Sequence, residues 1–254
     1  MAANDDLREI YDLARRAMEC QADLGHKELI CEARESGGEQ PSTQATELDT
    51  TTAILEDDPV ILEKTEFESL EKHRAAICEC TNCTLGSTRT KFVYGVGSPQ
   101  AKIMFIGEAP GRDEDLKGEP FVGRAGKLLD DILKAMGLSR DQIYIANILK
   151  CRPPGNRDPQ PDEMRLCMPF LKEQIRLIKP TVICALGRIA AHGLLDTTTP
   201  LGKLRNQWHR FEGTPLIVTY HPAALLRFQK YKRPTWEDMQ ELLKEYERLN
   251  ENES

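Results

Sequence analysis

The sequence has no long apolar run, neither near its start nor in its interior. A helix that crosses a bilayer needs about 20 consecutive apolar residues, so we predict that the protein has no membrane partner. Residues 1–19 carry charges throughout and lack the apolar core of a secretory signal. We therefore expect a soluble, cytoplasmic protein. The chain also has no internal repeat, and its 254 residues are enough for one substantial core with extensions.

An excess of positive charge is missing as well, since the net charge is −7. The charge is uneven along the chain, however. Residues 1–75 hold 8 basic and 19 acidic side chains, and residues 235–254 hold 2 and 7. Residues 76–234 hold 24 and 15, a net charge of +9. A basic centre is compatible with contact to nucleic-acid phosphates, although an ordinary solvated surface would show the same balance.

Large apolar side chains are scarce in residues 36–59, which are rich in Gly, Ser, Thr, Gln and acids. Such a segment buries too little surface to offset its ordering entropy, so we predict a disordered linker there. The spacing of apolar residues predicts helices in residues 1–35 and 61–76. We accordingly expect an acidic extension over residues 1–75 and one folded domain over residues 76–254.

From residue 100 onward, short apolar runs alternate with longer amphipathic ones. This alternation predicts an α/β fold, a three-layer α/β/α sandwich with a central four-stranded parallel sheet. The predicted strands are residues 102–107, 143–147, 181–186 and 216–220. The predicted helices are residues 123–136, 161–178, 188–195 and 236–249. Ligands of such sheets collect at the carboxyl ends of the strands.

Eight cysteines are many for a cytoplasmic chain, where disulfides are rare. Four of them form a candidate metal-binding set: Cys80, Cys83, Cys151 and Cys167. Four thiolates can hold zinc or a [4Fe–4S] cluster, and reduced cysteines without metal are a third reading that the spacing leaves open. Cys184 lies inside an apolar strand and is predicted to be a core residue. No role follows from the sequence for Cys20, Cys31 and Cys78.

The predicted loops at the strand ends carry polar and aromatic side chains. Glu108 lies in a tight Gly- and Pro-containing turn, where a carboxylate can hold a water molecule. Phe121 lies between glycines and is either a core anchor or a stacking platform for a flat ligand. Asn147 ends a predicted strand and His221 directly follows one, and at both positions a turn-forming or structural role is as compatible as a ligand-binding one. The apolar tip at residues 223–226 is either a core helix or a wedge that enters a duplex.

Taken together, these segments resemble the family 4 uracil-DNA glycosylases, which contain an iron–sulfur cluster. The resemblance covers roughly residues 78–240, in order. Its pieces are Cys80-x2-Cys83, GEAPG at 107–111, GEPFVGRAG at 118–126, NILKCRPP at 147–154, Cys167 and HPAALLR at 221–227. The resemblance, and not the spacing, favours a [4Fe–4S] cluster over zinc. It implies a DNA repair enzyme that flips uracil out of single- or double-stranded DNA and hydrolyses its N-glycosidic bond.

The resemblance also implies roles for individual residues. Phe121 would stack on the uracil, Asn147 would read its Watson–Crick edge, and His221 would donate to uracil O2. One carboxamide matches uracil N3–H and O4 at once, whereas cytosine presents the wrong pattern. Glu108 would position the attacking water, and Glu114 would lie near C5 and exclude the methyl group of thymine.

Other expectations follow from the same family pattern. Ala109 stands where the best-known uracil-DNA glycosylases carry a water-activating Asp, so we expect catalysis mainly from stabilisation of the uracil anion and the cationic sugar. Backbone atoms of Ala109 and Gly111 would complete the pocket. The cluster would be structural. The residues that would support the distorted duplex are Leu225, Leu226 and Arg227.

Two alternative functions remain open at this point. One is a metal-stabilised nucleic-acid-binding module without catalysis. The other is a covalent uracil trap, because a related branch links to DNA through a histidine in a basic loop. The comparable stretch here, residues 204–210, contains His209 but lacks that branch's run of basic residues. We expect the protein to be a monomer.

Overall fold

The computed structural model describes residues 66–251. Its central sheet has six strands within this range, in the order β1-β3-β2-β4-β6-β5. The strands are β1 (Val96–Gly97), β2 (Ile103–Gly107), β3 (Tyr144–Asn147), β4 (Val182–Leu186), β5 (His209–Phe211) and β6 (Thr214–Thr219). The four inner strands are parallel, and the two edge strands run antiparallel to their neighbours. The four predicted strands are therefore confirmed, but the sheet is wider by two edge strands.

The helices of the described range cover both faces of the sheet. They are α1 (Leu70–Ile77), α2 (Leu85–Thr88), α3 (Arg112–Lys117), α4 (Arg124–Ala135), α5 (Pro161–Ile178), α6 (Arg188–Leu195), α7 (Leu201–Leu204), α8 (Pro222–Arg227) and α9 (Lys232–Glu251). Two short 3-10 helices lie at Pro154–Asn156 and Gln229–Tyr231. None of these helices is long and apolar enough to cross a membrane.

Burial explains why the inner strands are continuously apolar. Every residue of β2, β3 and β4 is buried, because helices exclude water from both faces of the sheet. One core cluster packs α1, α5 and α6 on one face, and the other packs α4, α8 and α9 on the opposite face. The predicted three-layer α/β/α sandwich is confirmed.

The ends of the helices follow local signals, and two helix starts differ from the prediction by several residues. Helix α5 has the predicted bounds, with Pro161 in its first turn and a capping box between Gln160 and Glu163. Helix α9 begins four residues before the predicted start, because the first turn of a helix tolerates Pro234. Helix α1 begins only after Ser69, whose side chain caps it, so residues 66–69 of the predicted helix are not helical, and residues 61–65 lie outside the described residues. The predicted helix at 1–35 and linker at 36–59 lie outside the described residues.

The two edge strands were missed because they are too short to show an alternating pattern. Strand β1 has two residues and β5 has three. Their existence depends on pairing with β3 and β6, which lie elsewhere in the chain. The parallel register aligns Gly107 with Asn147, and Leu186 with Thr219, so the loops that follow these strands meet at one edge of the sheet.

Candidate active site

Asn147 is a buried side chain at the end of β3, and it is incompletely hydrogen-bonded. Its residue is 2 % exposed, and its Oδ1 has no hydrogen-bond partner among the described residues. A buried polar atom without a partner costs about 1–3 kcal/mol. An acceptor held in this state at a strand end indicates a site for a ligand that donates a hydrogen bond.

Gly107 allows Asn147 and Phe121 to approach each other. A Cβ atom at Gly107 would collide with Asn147 Oδ1 and would lie 2.8 Å from Phe121 Cζ. The space that a side chain would fill is therefore taken by the amide and the aromatic ring. Together with His221, these residues form what we call the strand-end pocket: Gly107, Phe121, Asn147 and His221.

Phe121 is held in a strained backbone conformation. Its φ of 54° lies in the left-handed region, which a bulky residue rarely adopts. Its carbonyl accepts a hydrogen bond from Arg140 and packs so closely on Gly126 that any Cβ there would collide with it. Strain of this kind costs about 1–3 kcal/mol and persists only where the surroundings enforce it. The ring itself is 5 % exposed and faces the strand-end pocket.

Glu114 fixes the loop that carries Phe121. Its Oε1 accepts hydrogen bonds from the backbone N–H groups of Val122 and Gly123, both at 3.0 Å. The other oxygen lies on the side of Gly111, 2.7 Å from the position that a Cβ atom would take there. Glu114 thus joins the turn before α3 to the loop after it, which the sequence did not indicate.

His221 packs against Phe121 as a neutral ring. The two ring centroids are 5.4 Å apart, with the planes inclined by 29°. Burial lowers the pKa of His221 to about 4, and the charge of Glu114 opposes this only in part. Nδ1 accepts a hydrogen bond from the Ala223 backbone N–H at 3.1 Å. In the neutral tautomer the proton is therefore on Nε2, which makes this atom a hydrogen-bond donor.

Glu108 directly follows Gly107 at the pocket and is half-buried. Burial raises its pKa to about 7, and the negative charge of Asp158 adds to the effect. Arg188 lowers the pKa and also forms an ion pair with Asp158, with a distance of 2.8 Å. A carboxyl group with this pKa exchanges protons near neutral pH, as a general acid or base requires. Ala109 is partly buried and packs against the core.

The loop after His221 forms a short helix and not an extended tip. Leu225 is 0 % exposed and packs in the core, so the structure does not present it to DNA. Successive residues of a helix point in different directions. Leu226 is therefore partly exposed and Arg227 is exposed, although Leu225 is buried. The next residue, Phe228, is 52 % exposed and was not singled out from the sequence. The sequence signal that could have identified Phe228 is its place as an aromatic residue directly after the HPAALLR segment.

The structure gathers the four predicted cysteines around one cavity, which we call the cysteine site: Cys80, Cys83, Cys151 and Cys167. All four are free thiols. Burial raises the pKa of Cys151 to about 11 and that of Cys167 to about 12. Within residues 66–251, no three Cys, His, Asp or Glu side chains converge closely enough to hold a single metal ion. A set made only of cysteines suits soft metals and iron–sulfur clusters.

Polar groups of the protein surround the cysteine site. Arg89 donates to Cys151 Sγ at 3.5 Å and to the carbonyl of Cys80, and the Asn82 N–H donates to Cys80 Sγ at 3.5 Å. Cys78 lies outside the lining, with its thiol 3.5 Å from the Ala75 carbonyl.

The remaining cysteines and His209 lie elsewhere. Cys184 is buried in β4, as predicted for a core residue. Cys20 and Cys31 lie outside the described residues. His209, on β5, pairs with Leu216, and its Nε2 donates a hydrogen bond to the Leu204 carbonyl at 2.8 Å. The structure does not bring His209 to the strand-end pocket, because Leu216 lies three residues before the end of β6.

Comparison with known proteins gives a consistent family assignment. Residues 94–240 match the model of the uracil DNA glycosylase superfamily. The chain is 48 % identical to a type-4 uracil-DNA glycosylase of Archaeoglobus fulgidus over 168 residues, which are 63 % of this chain and 84 % of the relative. It is 43 % identical to that of Thermotoga maritima over 165 residues, 64 % of this chain and 86 % of the relative. A type-5 enzyme of Thermus thermophilus is 32 % identical over 181 residues, 62 % of this chain and 80 % of the relative. The chain therefore belongs to the uracil DNA glycosylase superfamily, in its type-4 branch.

Proposed function

We propose that this protein removes uracil from DNA by hydrolysing its N-glycosidic bond and leaves an abasic site. The observation that carries the proposal is the buried Asn147 amide, whose Oδ1 has no partner among the described residues. Uracil N3–H supplies the missing donor, and uracil O4 accepts from the amide NH2. Cytosine lacks the N3 proton, so its binding leaves Oδ1 unpaired and is disfavoured.

His221 is the proposed electrophilic residue. As the glycosidic bond breaks, negative charge moves onto the base, and Nε2–H donates to uracil O2. A neutral donor in a buried pocket needs no proton transfer to stabilise this anion. The tautomer set by the Ala223 N–H supports this assignment. Phe121, whose ring packs against that of His221, is the proposed stacking platform for the flipped base.

Glu108 is the proposed partner of the attacking water and the cationic sugar. In its ionised form it accepts a proton from water and stabilises the oxocarbenium character of the sugar. No carboxylate stands at Ala109, so Glu108 is the acidic side chain nearest to Gly107 along this turn. We assign the backbone of Ala109 and Gly111 to the pocket wall. Glu114, through its bonds to Val122 and Gly123, has an additional positioning role beside the proposed exclusion of thymine.

The proposed DNA-contacting surface lies at the end of α8. Leu226 and Arg227 reach the surface there, and the exposed Phe228 extends it. Arg227 can pair with a phosphate, and an exposed aromatic ring can stack on an unpaired base. Leu225 supports this surface from the core.

We further propose that the cysteine site holds a [4Fe–4S] cluster. The four thiols line one cavity, and a cluster with four irons does not need all its ligands to converge on one ion. When bound, the cluster supplies metal–thiolate links that tie the chain before β1 to the loop after β3 and to α5. We place the start of the glycosylase domain before α1, because Leu70 and Ile77 pack in its core, and assign the residues before Glu66 to the acidic extension.

A uracil-release assay tests the proposed activity. Purified full-length protein is incubated with single- and double-stranded oligonucleotides that carry one uracil, and abasic sites are detected by alkaline cleavage. Cleavage at the uracil, and none in matched oligonucleotides with cytosine or thymine, is the expected result. Binding that ignores uracil, without product, would favour the non-catalytic module. A denaturation-resistant adduct that disappears in His209→Ala would favour the covalent trap.

Metal analysis of the same protein tests the cluster. We expect a brown protein with broad visible absorbance, close to four irons and four sulfides per chain. The double variant Cys80→Ser, Cys83→Ser should lose the colour, while Cys78→Ser should keep it. A colourless protein that contains one zinc ion per chain would overturn the cluster proposal.

A further inference from the structure

Lys150 is a completely buried ammonium group between the strand-end pocket and the cysteine site. It is 0 % exposed and directly precedes Cys151. Its Nζ donates to the Asn147 backbone carbonyl at 2.7 Å and to Gln174 Oε1 at 2.6 Å. The side chain thus turns back toward Asn147 and joins it to α5.

Gln174 anchors this connection from the other side. Its Nε2 donates to the Tyr94 carbonyl at 2.9 Å and to the Tyr144 hydroxyl at 3.2 Å. Tyr144 begins β3 and Asn147 ends it, so the Lys150–Gln174 bridge braces both ends of one strand. The Asn147 carbonyl is thus linked through Lys150 to Gln174 on α5, and through Gln174 to Tyr94 and Tyr144.

The charge of Lys150 has no carboxylate partner among residues 66–251. The buried carboxylates of this range have other partners: Glu163 pairs with Arg157, Asp238 pairs with Arg205, and Asp115 accepts from the Thr90 N–H. An isolated buried charge is costly unless an opposite charge compensates it.

The sulfur atoms of the cysteine site are the compensating groups within reach. Lys150 lines the same cavity as the four cysteines, and negative charge on Cys151 or Cys167 favours its charged form. Thiolates that bind a metal cluster are permanently deprotonated, so they supply the negative charge that the free thiols lack.

We propose that Lys150 is a positioning residue for base recognition: its ammonium fixes the backbone of Asn147, and its charge is neutralised by the thiolates of the cysteine site. This inference rests on the proposed function and deepens it. It gives the cluster a second effect, because the thiolates stabilise the cation that holds Asn147 in register.

Lys150→Met tests the proposal, with the exposed Lys134→Met as the matched control. A misplacement of a positioned group by about 1 Å can cost about 100-fold in activity. We expect a decrease of that size in kcat/KM on a uracil-containing oligonucleotide, together with a weaker preference for uracil over cytosine. We also expect a more negative reduction potential of the cluster, because removal of a nearby positive charge disfavours the added electron. Lys134→Met should change none of these values.

Gln174→Met separates the two parts of the proposal. This variant removes the hydrogen bond between Lys150 and α5 but keeps the positive charge of Lys150. The preference for uracil over cytosine should therefore fall, while the reduction potential of the cluster stays near that of the wild type. Circular dichroism and visible absorbance show whether Lys150→Met folds with its cluster. If it does not, Gln174→Met alone tests the positioning role of Lys150. Folded variants that keep the wild-type uracil preference would overturn the positioning role, and an unchanged potential in Lys150→Met would overturn the charge pairing. A wild-type protein that releases no uracil would instead contradict the proposed function.

Discussion

At the scale of single residues, the proposed selection of uracil depends on the Asn147 amide, which the fold keeps out of water. Replacing Asn147 with Asp changes the NH2 donor into an acceptor, so the side chain no longer matches uracil O4 and can accept from the cytosine amino group. An unpaired buried polar group costs about 1–3 kcal/mol. We expect the ratio of kcat/KM for uracil over cytosine to fall roughly 10- to 100-fold, measured on matched oligonucleotides, with the exposed Asn206→Asp as control. An unchanged ratio would remove Asn147 as the reader.

The raised pKa of Glu108 predicts how the activity depends on pH. Because its pKa is raised to about 7, the carboxylate form is lost as the pH falls through this value. If the carboxylate acts on water or sugar, single-turnover rates should decline below about pH 7. Arg188→Met should move this decline to higher pH, since Arg188 lowers the pKa, and Asp158→Asn should move it to lower pH. A decline that persists unchanged in Glu108→Gln would assign it to another group.

At the scale of elements, the loop between α3 and α4 is strained and depends on one carboxylate. Glu114→Ala removes the acceptor of two backbone N–H groups and allows Phe121 to leave its left-handed conformation. Since Phe121 is the proposed stacking platform, KM for uracil-containing DNA should rise by about 10-fold, the effect of 1–2 kcal/mol of lost stacking. The exposed Glu119→Ala is the control. Steady-state kinetics with KM unchanged in Glu114→Ala would contradict the clamp.

Helix α8 has one side in the core, and this separates stability from DNA contact. Leu225→Ala should lower the free energy of unfolding by about 2–5 kcal/mol, because it leaves a cavity beneath the helix. Leu116→Ala, at a leucine that is 52 % exposed, should change it by no more than about 0.5 kcal/mol. Denaturant unfolding of both variants measures the difference. Equal stabilities would show that the Leu225 side chain is not packed as described.

At the scale of the whole molecule, buried histidines should make the protein sensitive to mild acid. Burial lowers the pKa of both His73 and His221 to about 4, so between about pH 6.5 and 4 the unfolded chain binds more protons at these sites than the folded one. Glu108 acts in the opposite direction, because its raised pKa lets the folded state bind a proton first. The pKa shifts of the two histidines together exceed the opposite shift of Glu108. The free energy of unfolding should therefore fall as the pH decreases from about 6.5.

Thermal unfolding across this pH range checks the prediction. Tm should decrease on acidification, and His73→Gln should weaken the dependence. A Tm that is constant, or that rises toward lower pH, would mean that Glu108 or other carboxyl groups dominate.

The sequence by itself determined the inner strands, the bounds of α5 and α6, and the motifs at the strand ends. These features depend on local patterns: continuous apolar runs, capping residues, and Gly- or Pro-containing turns. It also indicated the four cysteines as one set, since their spacing and the family resemblance needed no coordinates. The choice of the metal and the role of each side chain came from the resemblance and remain proposals.

Only the tertiary structure decided how these pieces act on each other. The edge strands, the burial of Leu225 and the strain at Phe121 arise from contacts between residues that are distant in sequence. In the sequence Lys150 is an ordinary lysine beside a cysteine. The fold brings it to Gln174, 24 positions later, which accepts its hydrogen bond. A periodic pattern reports which face of an element is buried, but the partner of a buried polar atom depends on how the elements pack. For that reason only the folded chain shows that the Asn147 oxygen, on which the proposed function rests, has no partner among the described residues.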